Sequence, residues 1–254
     1  MVTRIPYSSP FWGSRASAPR LILQGHLDMV CAVRPGSGWN PLTDPVAVVV
    51  EGGFLRSDGR SSLGADNHLG NAAALWLLST GAVNHGPLRL LFTTAEEVGL
   101  EGAKEVAPDW LAGAEYLLNT DGFHLGRAVV GSASGRRETW AAPLDAGPAP
   151  ALPAWRLTLS GGRGGHSGDD INRGRANPLA AVLGRVWWEQ TGRTLELSAV
   201  HVGLEPSVFR AKAPGLVMAS AGPDILDAHS VDERAPLDGL PDYALLLAGA
   251  MEAL

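Results

Sequence analysis

Three short apolar runs in this chain each end on residues that water, rather than a protein core, would ordinarily hold. Leu21-Ile22-Leu23 leads into His26-Leu27-Asp28, Leu88 to Phe92 leads into Glu96-Glu97, and Tyr116-Leu117-Leu118 leads into Asn119-Thr120-Asp121. Runs of this length and character, bounded by turn residues, predict buried strands. In open α/β sheets the carboxyl ends of such strands line the ligand crevice. Three strands are therefore expected to bring one histidine and four carboxylates to the same end of a sheet, which few folds allow.

The stretches between these runs fill out an α/β pattern. Residues 46–58 predict a hairpin around Glu51-Gly52-Gly53. After Gly64-Ala65-Asp66-Asn67, the residues Leu69, Ala72, Ala73, Trp76 and Leu77 recur at helical spacing, which puts Asp66 and Asn67 at a helix start. Between about 123 and 160 the composition shifts to Gly, Ala, Pro and Arg, with a loop expected over 146–153 and a strand over 154–160. This reads as an inserted or second unit. Asn177-Pro178 is a good N-cap and first-turn pair, followed by Leu179, Val182, Leu183, Val186 and Trp187 up to Gly192. Strands near 195–201 and 216–219 and a helix from about 241 to 254 complete the chain.

Composition mainly excludes. With 254 residues, 45% of them hydrophobic, the chain can bury a sizeable core. A net charge of −6 and no basic run argue against a nucleic-acid groove, whose affinity rests on neutralising phosphates. A small or peptide-like partner fits better. The one cysteine, Cys31, rules out an internal disulfide framework and is expected to be a small buried hydrophobe. No 18-residue apolar run and no signal-peptide pattern opens the chain, so a cytoplasmic protein without membrane contact is expected. Lysine stands only at 104 and 212 among the 20 basic residues, which reads as codon bias and says nothing about function.

Each motif alone has a plain reading beside a functional one. In His26-x-Asp28, side chains two apart on a strand point the same way, so Asp28 can take the proton on the far imidazole nitrogen while the near one binds metal. A structural pair explains the spacing equally well. Asp66 can be a helix cap, and Glu96-Glu97 a solvated surface pair, although the end of a buried strand is an unusual place for one. Together they are the parts of a hydrolytic metal site: imidazoles and carboxylates hold Zn²⁺ or Mn²⁺, a shared aspartate bridges two ions roughly 3.5–4 Å apart, and a free carboxylate takes a proton from water.

The sequence resembles the co-catalytic zinc metallopeptidases and amidohydrolases, the family of aminoacyl-histidine (Xaa-His) dipeptidase. The stretches that carry the resemblance are Leu23-Gln-Gly-His-Leu-Asp-Met-Val-Cys31, Leu63-Gly-Ala-Asp-Asn67, Phe92-Thr-Thr-Ala-Glu-Glu-Val-Gly-Leu100, Gly164-Gly-His-Ser-Gly168, His201-Val-Gly-Leu-Glu205, Gly222-Pro-Asp-Ile225 and His229-Ser-Val-Asp-Glu233. They run in the family's order over nearly the whole chain. The resemblance implies that Asp66 bridges two divalent ions, zinc first with manganese or cobalt as substitutes. His26 and Asp121 would complete one site, and Glu97 and His229 the other. Asp28 would orient His26, and Glu96 would be the general base that activates the metal-bridging water and later protonates the leaving amine. His166 would help polarise the scissile carbonyl from a lid. Glu205 matches a residue that contacts substrate, with a core hydrogen-bonding role as the alternative. His68, His85 and His124 are expected to lie outside the ligand set.

The implied fold is a three-layer α/β catalytic domain with a mixed sheet, made of residues 1–122 and 190–254, with a reduced α+β lid over 123–189. The implied activity is hydrolysis of a dipeptide, with a related deacylase or a weakly active metal-binding remnant that needs a partner chain as alternatives. A homodimer is compatible with the family. Two departures stand out: only 25 residues precede His26, so the sheet is expected to lack an edge element, and the lid is about half its usual extent. Remote binding energy helps orient a substrate, so a shorter lid is expected to lower kcat as well as affinity.

Overall fold

The computed structural model describes residues 15–81, 83–132, 178–200 and 203–254. Its centre is a six-stranded mixed sheet in the order β4, β1, β5, β8, β6, β7, where β1 is Leu21–His26, β4 Leu88–Thr93, β5 Tyr116–Asn119, β6 Arg127–Ser132, β7 Glu196–Val200 and β8 Val217–Ser220. The three apolar runs of the sequence are the three neighbours β4, β1 and β5, all parallel. Every residue of β1 is buried, as a strand covered on both faces requires. β8 continues the parallel set beside β5, and β6 pairs antiparallel to β8.

Helices cover both faces, and the strands sort their side chains between them by alternation. Leu21 and Leu23 of β1 and Leu118 of β5 face one core, packed beneath α1 (Ala65–Thr80), α3 (Pro178–Thr191) and α5 (Leu240–Ala253). Ile22 of β1, Leu91 of β4 and Leu117 of β5 face the other, with Ala103 of α2 (Glu101–Glu105) and Phe209 of α4 (Glu205–Lys212). The result is the expected α/β layering. Gln24, His26, Thr93 and Asn119 share the parity of Ile22, Leu91 and Leu117, which places them on the α4 side.

The hairpin over 46–58 forms as β2 (Val48–Glu51) and β3 (Phe54–Ser57), joined through Gly52 and Gly53 at φ 59° and 84°. A two-residue turn with positive φ at both positions favours glycines such as this pair. β9 (Arg234–Pro236) adds to β3 and makes a small separate three-stranded sheet. No helix among the described residues is long and apolar enough to cross a membrane.

Several elements differ from the sequence reading. In α1 the buried side is Gly70, Asn71, Ala74 and Leu77, while Trp76 is exposed. A side chain at Gly70 would strike Thr120 at 2.6 Å, so close approach to the strand end, rather than the size of apolar side chains, chooses the face. Cys31 is exposed, a correction to its buried assignment. β6 and α3, which lie at the two ends of the unit expected over 123–189, belong to the main sheet and to the helical layer packed on α5. Residues 133–177 between them, including the strand expected over 154–160, the N-cap Asn177 and His166, lie outside the described residues.

Candidate metal centre

His26 closes β1 and is buried. Its backbone is fixed on both sides by amides of α1: its N–H donates to Asn67 Oδ1 at 3.1 Å, and Asn71 Nδ2 donates to its carbonyl at 2.6 Å. These contacts are possible because residue 25 is glycine; a Cβ there would meet Asn67 and Asn71 oxygens at 2.1 and 2.2 Å. The imidazole Nδ1 lies 3.0 Å from the backbone carbonyl of Asp28 and 3.6 Å from its carboxylate. The carbonyl rather than the carboxylate thus orients the ring, because the strand ends at His26 and side-chain alternation no longer governs residue 28. Nε2 is left facing Asp66 Oδ1 at 3.1 Å and Asp121 Oδ2 at 4.0 Å.

Asp66 stands in the first turn of α1 with extended backbone angles (φ −77°, ψ 110°) and a cis peptide bond to Asn67. It caps nothing. Its carboxylate divides between two histidines: Oδ1 faces His26 Nε2, and Oδ2 faces His229 Nε2 at 3.0 Å. His229 is on a loop that adopts left-handed backbone at φ 63° and is closed at its base by hydrogen bonds of 2.9 and 3.0 Å between Leu226 and Arg234. Glu97 Oε1 lies 3.3 Å from the same His229 nitrogen.

The turn bearing Glu96 and Glu97 follows β4 through Ala95 at φ 61°. Asp28 holds it, accepting the Glu96 N–H on Oδ1 at 3.0 Å and the Glu97 N–H on Oδ2 at 3.1 Å. A residue to which the sequence reading gave no role, Glu233, secures the opposite wall. Its buried carboxylate accepts the N–H groups of Leu63, Gly64 and Asp66 at 2.9, 2.8 and 3.3 Å. The signal for it was its place four residues after His229 in a matched stretch.

The electrostatics are those of acids crowded together. Burial pulls His26 down, but the Asp66 hydrogen bond and the charges of Asp121, Asp66 and Glu96 outweigh it and raise it to about 10. Burial also lowers His229, and again the Asp66 hydrogen bond and the nearby carboxylates win and push it up. Burial pushes Glu96 up to about 7, with the charges of Glu97, Glu205 and Asp66 adding to it against His26. Burial and the Asp66 charge raise Glu97, and the same two causes raise Asp121 well above the usual carboxylate range. Asp66 is the exception: burial works against it, but the hydrogen bonds and charges of His26 and His229 hold it low.

These residues fit a divalent cation. His26, Asp66 and Glu97 each offer one ligand atom, all within 4.8 Å of one another. The imidazole and carboxylate donors suit zinc or manganese. Glu97 Oε1 is a buried carboxylate oxygen that accepts no hydrogen bond among the described residues; its partner there is His229 Nε2, in an ion pair at 3.3 Å, so the two groups could turn together to a shared cation.

The other residues singled out in the sequence fall outside this cluster. His68 Nδ1 bonds the Gly64 carbonyl at 2.9 Å and His85 Nδ1 that of Gly86 at 2.7 Å, while His124 is exposed. Glu205 is fully buried, so of its two readings the structure favours the core hydrogen-bonding one. Neither His166 nor His201 lies in the described residues.

Comparison with known proteins accords with this geometry. The chain is 39% identical over 158 residues to the cytosol non-specific dipeptidase of Escherichia coli (strain K12), a match covering 62% of this chain and 32% of that protein. The aligned part thus spans about a third of that relative. Among solved structures, aminoacylhistidine dipeptidase from Vibrio alginolyticus superposes with a TM-score of 0.75 at 16% identity, covering 99% of this chain and 89% of the other. Aminopeptidase PepT from Bacillus cereus ATCC 10987 does so with a TM-score of 0.68 at 16% identity over 96% and 83%. At such identities the superpositions show the shared fold. The model of peptidase family M20/M25/M40 matches residues 22–253, and the chain belongs to that family.

Proposed function

We propose that this chain hydrolyses the amide bond of dipeptides with two divalent metal ions, zinc first among them. The observation that carries this reading is the divided carboxylate of Asp66, with Oδ1 toward His26 and Oδ2 toward His229. His26 and Asp121 would hold one ion with the first oxygen, and Glu97 and His229 the other with the second. Bound there, the ions supply Lewis acidity toward the scissile carbonyl and lower the pKa of water.

Glu96 is left to move the proton. It is fixed by its backbone to Asp28, and burial brings its carboxyl to about 7, near the value at which a group both accepts and returns a proton at neutral pH. It takes the proton from the attacking water and gives it to the departing amine. His166, within 133–177, is assigned the polarising of the carbonyl by family resemblance.

The names of the relatives, a non-specific dipeptidase and an aminoacylhistidine dipeptidase, make dipeptides the first substrates to try, with Xaa-His at the head. Hydrolysis of a dipeptide panel by the zinc-loaded protein, beside an N-acyl amino acid, tests this. Turnover of dipeptides supports it; turnover of the acyl compound alone would assign a deacylase, and turnover of neither would sink the reading.

A further inference from the structure

Beneath the metal centre the buried polar side chains form a chain with a direction. The Asp121 N–H donates to Asn119 Oδ1 at 3.2 Å. A backbone N–H can only donate, so Asn119 must present its oxygen there, and its amide nitrogen then turns to Gln24 Oε1 at 2.7 Å. With that oxygen occupied, the amide nitrogen of Gln24 faces away and donates to Thr93 Oγ1 at 3.3 Å and to Glu205 Oε2. The position met by that nitrogen requires an acceptor, and Glu205, at the start of α4, supplies one. Gln24, Asn119 and Glu205 are all fully buried. A buried carboxylate is costly unless hydrogen bonds offset it, and here Oε2 takes the one from Gln24 while Oε1 accepts none among the described residues.

We propose that Glu205 is a positioning residue: it fixes the direction of the relay Glu205, Gln24, Asn119, and through it holds the backbone of Asp121. This rests on the reading of Asp121 as a metal ligand. The parts sit where the fold dictates, since Gln24 and Asn119 are paired neighbours on β1 and β5, two residues before His26 and Asp121 respectively. Outer partners that orient a ligand typically alter metal affinity by about ten- to a hundredfold when lost.

The relay can be reversed on paper. Asn119→Asp still accepts the Asp121 N–H but can no longer donate, so Gln24 must turn its nitrogen toward residue 119 and its oxygen toward Glu205, where two acceptors collide. Glu205→Gln then supplies a donor, and the Thr93 hydroxyl, which donates to the Gly25 carbonyl at 3.2 Å, can rotate to meet the turned oxygen. The double variant carries the same net charge as the parent.

The test is zinc affinity by competition with a chromophoric chelator, at mildly alkaline pH so that a protonated Glu205 does not stand in as the donor. Thermal unfolding of the metal-free proteins runs alongside. Glu205→Leu and Asn119→Asp should each weaken zinc by about tenfold or more, Glu205→Gln alone by much less, and Asn119→Asp with Glu205→Gln should bind within a few-fold of the parent. Should Glu205→Leu not fold, Asn119→Asp, which is nearly isosteric, and its double variant decide the matter. Parent-like affinity in Asn119→Asp, or no recovery in the double variant, overturns the relay. Asp121→Ala separates the two claims: if it binds zinc as the parent does, the ligand reading itself is wrong and the relay falls with it.

Discussion

Asp28 grips the turn of Glu96 through the backbone, one carboxylate oxygen accepting the Glu96 N–H at 3.0 Å while the other accepts its neighbour's at 3.1 Å. Asp28→Ala leaves two donors without their acceptor, at about 1–3 kcal/mol for a buried one and less here, where Asp28 is part-exposed. Asp28→Asn keeps one oxygen. Urea unfolding should rank the parent above Asp28→Asn and that above Asp28→Ala, with zinc affinity in the same order. Identical curves for all three would show that the grip does not matter.

Glu96→Gln should abolish nearly all turnover, a loss of at least about a hundredfold for a general base, while the protein keeps its metals. Side-by-side measurement of kcat and metal content checks both halves. Loss of metal together with activity would move Glu96 into the ligand set.

Metal binding should release protons. In the metal-free protein His26 stays protonated up to about 10 and Glu96 up to about 7, against ordinary values of 6.5 and 4.5. Ligation needs a neutral imidazole, so zinc affinity should rise with pH from near 7 toward 10. The sign for stability is the reverse. Both folded-state values are raised, so the native chain binds more protons than the unfolded one, and the two groups contribute falling stability through about 4.5–7 for Glu96 and 6.5–10 for His26. Calorimetry in buffers of different ionisation enthalpy reads the released protons; none released at neutral pH would refute the protonated apo site.

Lys212→Arg should destabilise the fold by about 2 kcal/mol, the scale of hydrogen bonds to a charged group. The Lys212 ammonium donates to the carbonyls of Ala103, Lys104 and Val106 at 2.8, 2.6 and 2.7 Å, closing the end of α2. Three carbonyls around one point suit a tetrahedral ammonium, whereas a guanidinium is flat and larger. Chemical denaturation measures the difference. In a chain with 18 arginines and two lysines, this lysine has a structural reason.

What was legible in the sequence was whatever rests on local pattern. β4, β1 and β5 were visible because apolar runs ending in Glu96, His26 and Asp121 have no other comfortable home, and the hairpin because Gly52-Gly53 is a turn signal. The role of Asp28 was not visible: strand parity pointed its carboxylate at His26, but the strand stops at His26, and no local rule marks that end. Gln24, Asn119, Asn71 and Glu233 were passed over because amides and a lone acid have no periodic signature; each has a partner far away in the chain, from 45 residues for Asn71 and His26 to 181 for Gln24 and Glu205. The stripe on α1 was legible only in part, since Leu77 is buried and Leu69 and Ala73 pack on the core but Trp76 is exposed; the sequence shows apolar side chains and not that Gly70 must lie against Thr120.

Metal content per chain, for the parent and for Asp66→Ala, tests the divided carboxylate most directly. Equilibrium dialysis against zinc followed by elemental analysis should find two ions in the parent and none held tightly in the variant. Two ions retained without Asp66, or a single ion in the parent, would mean that its two oxygens do not join two sites.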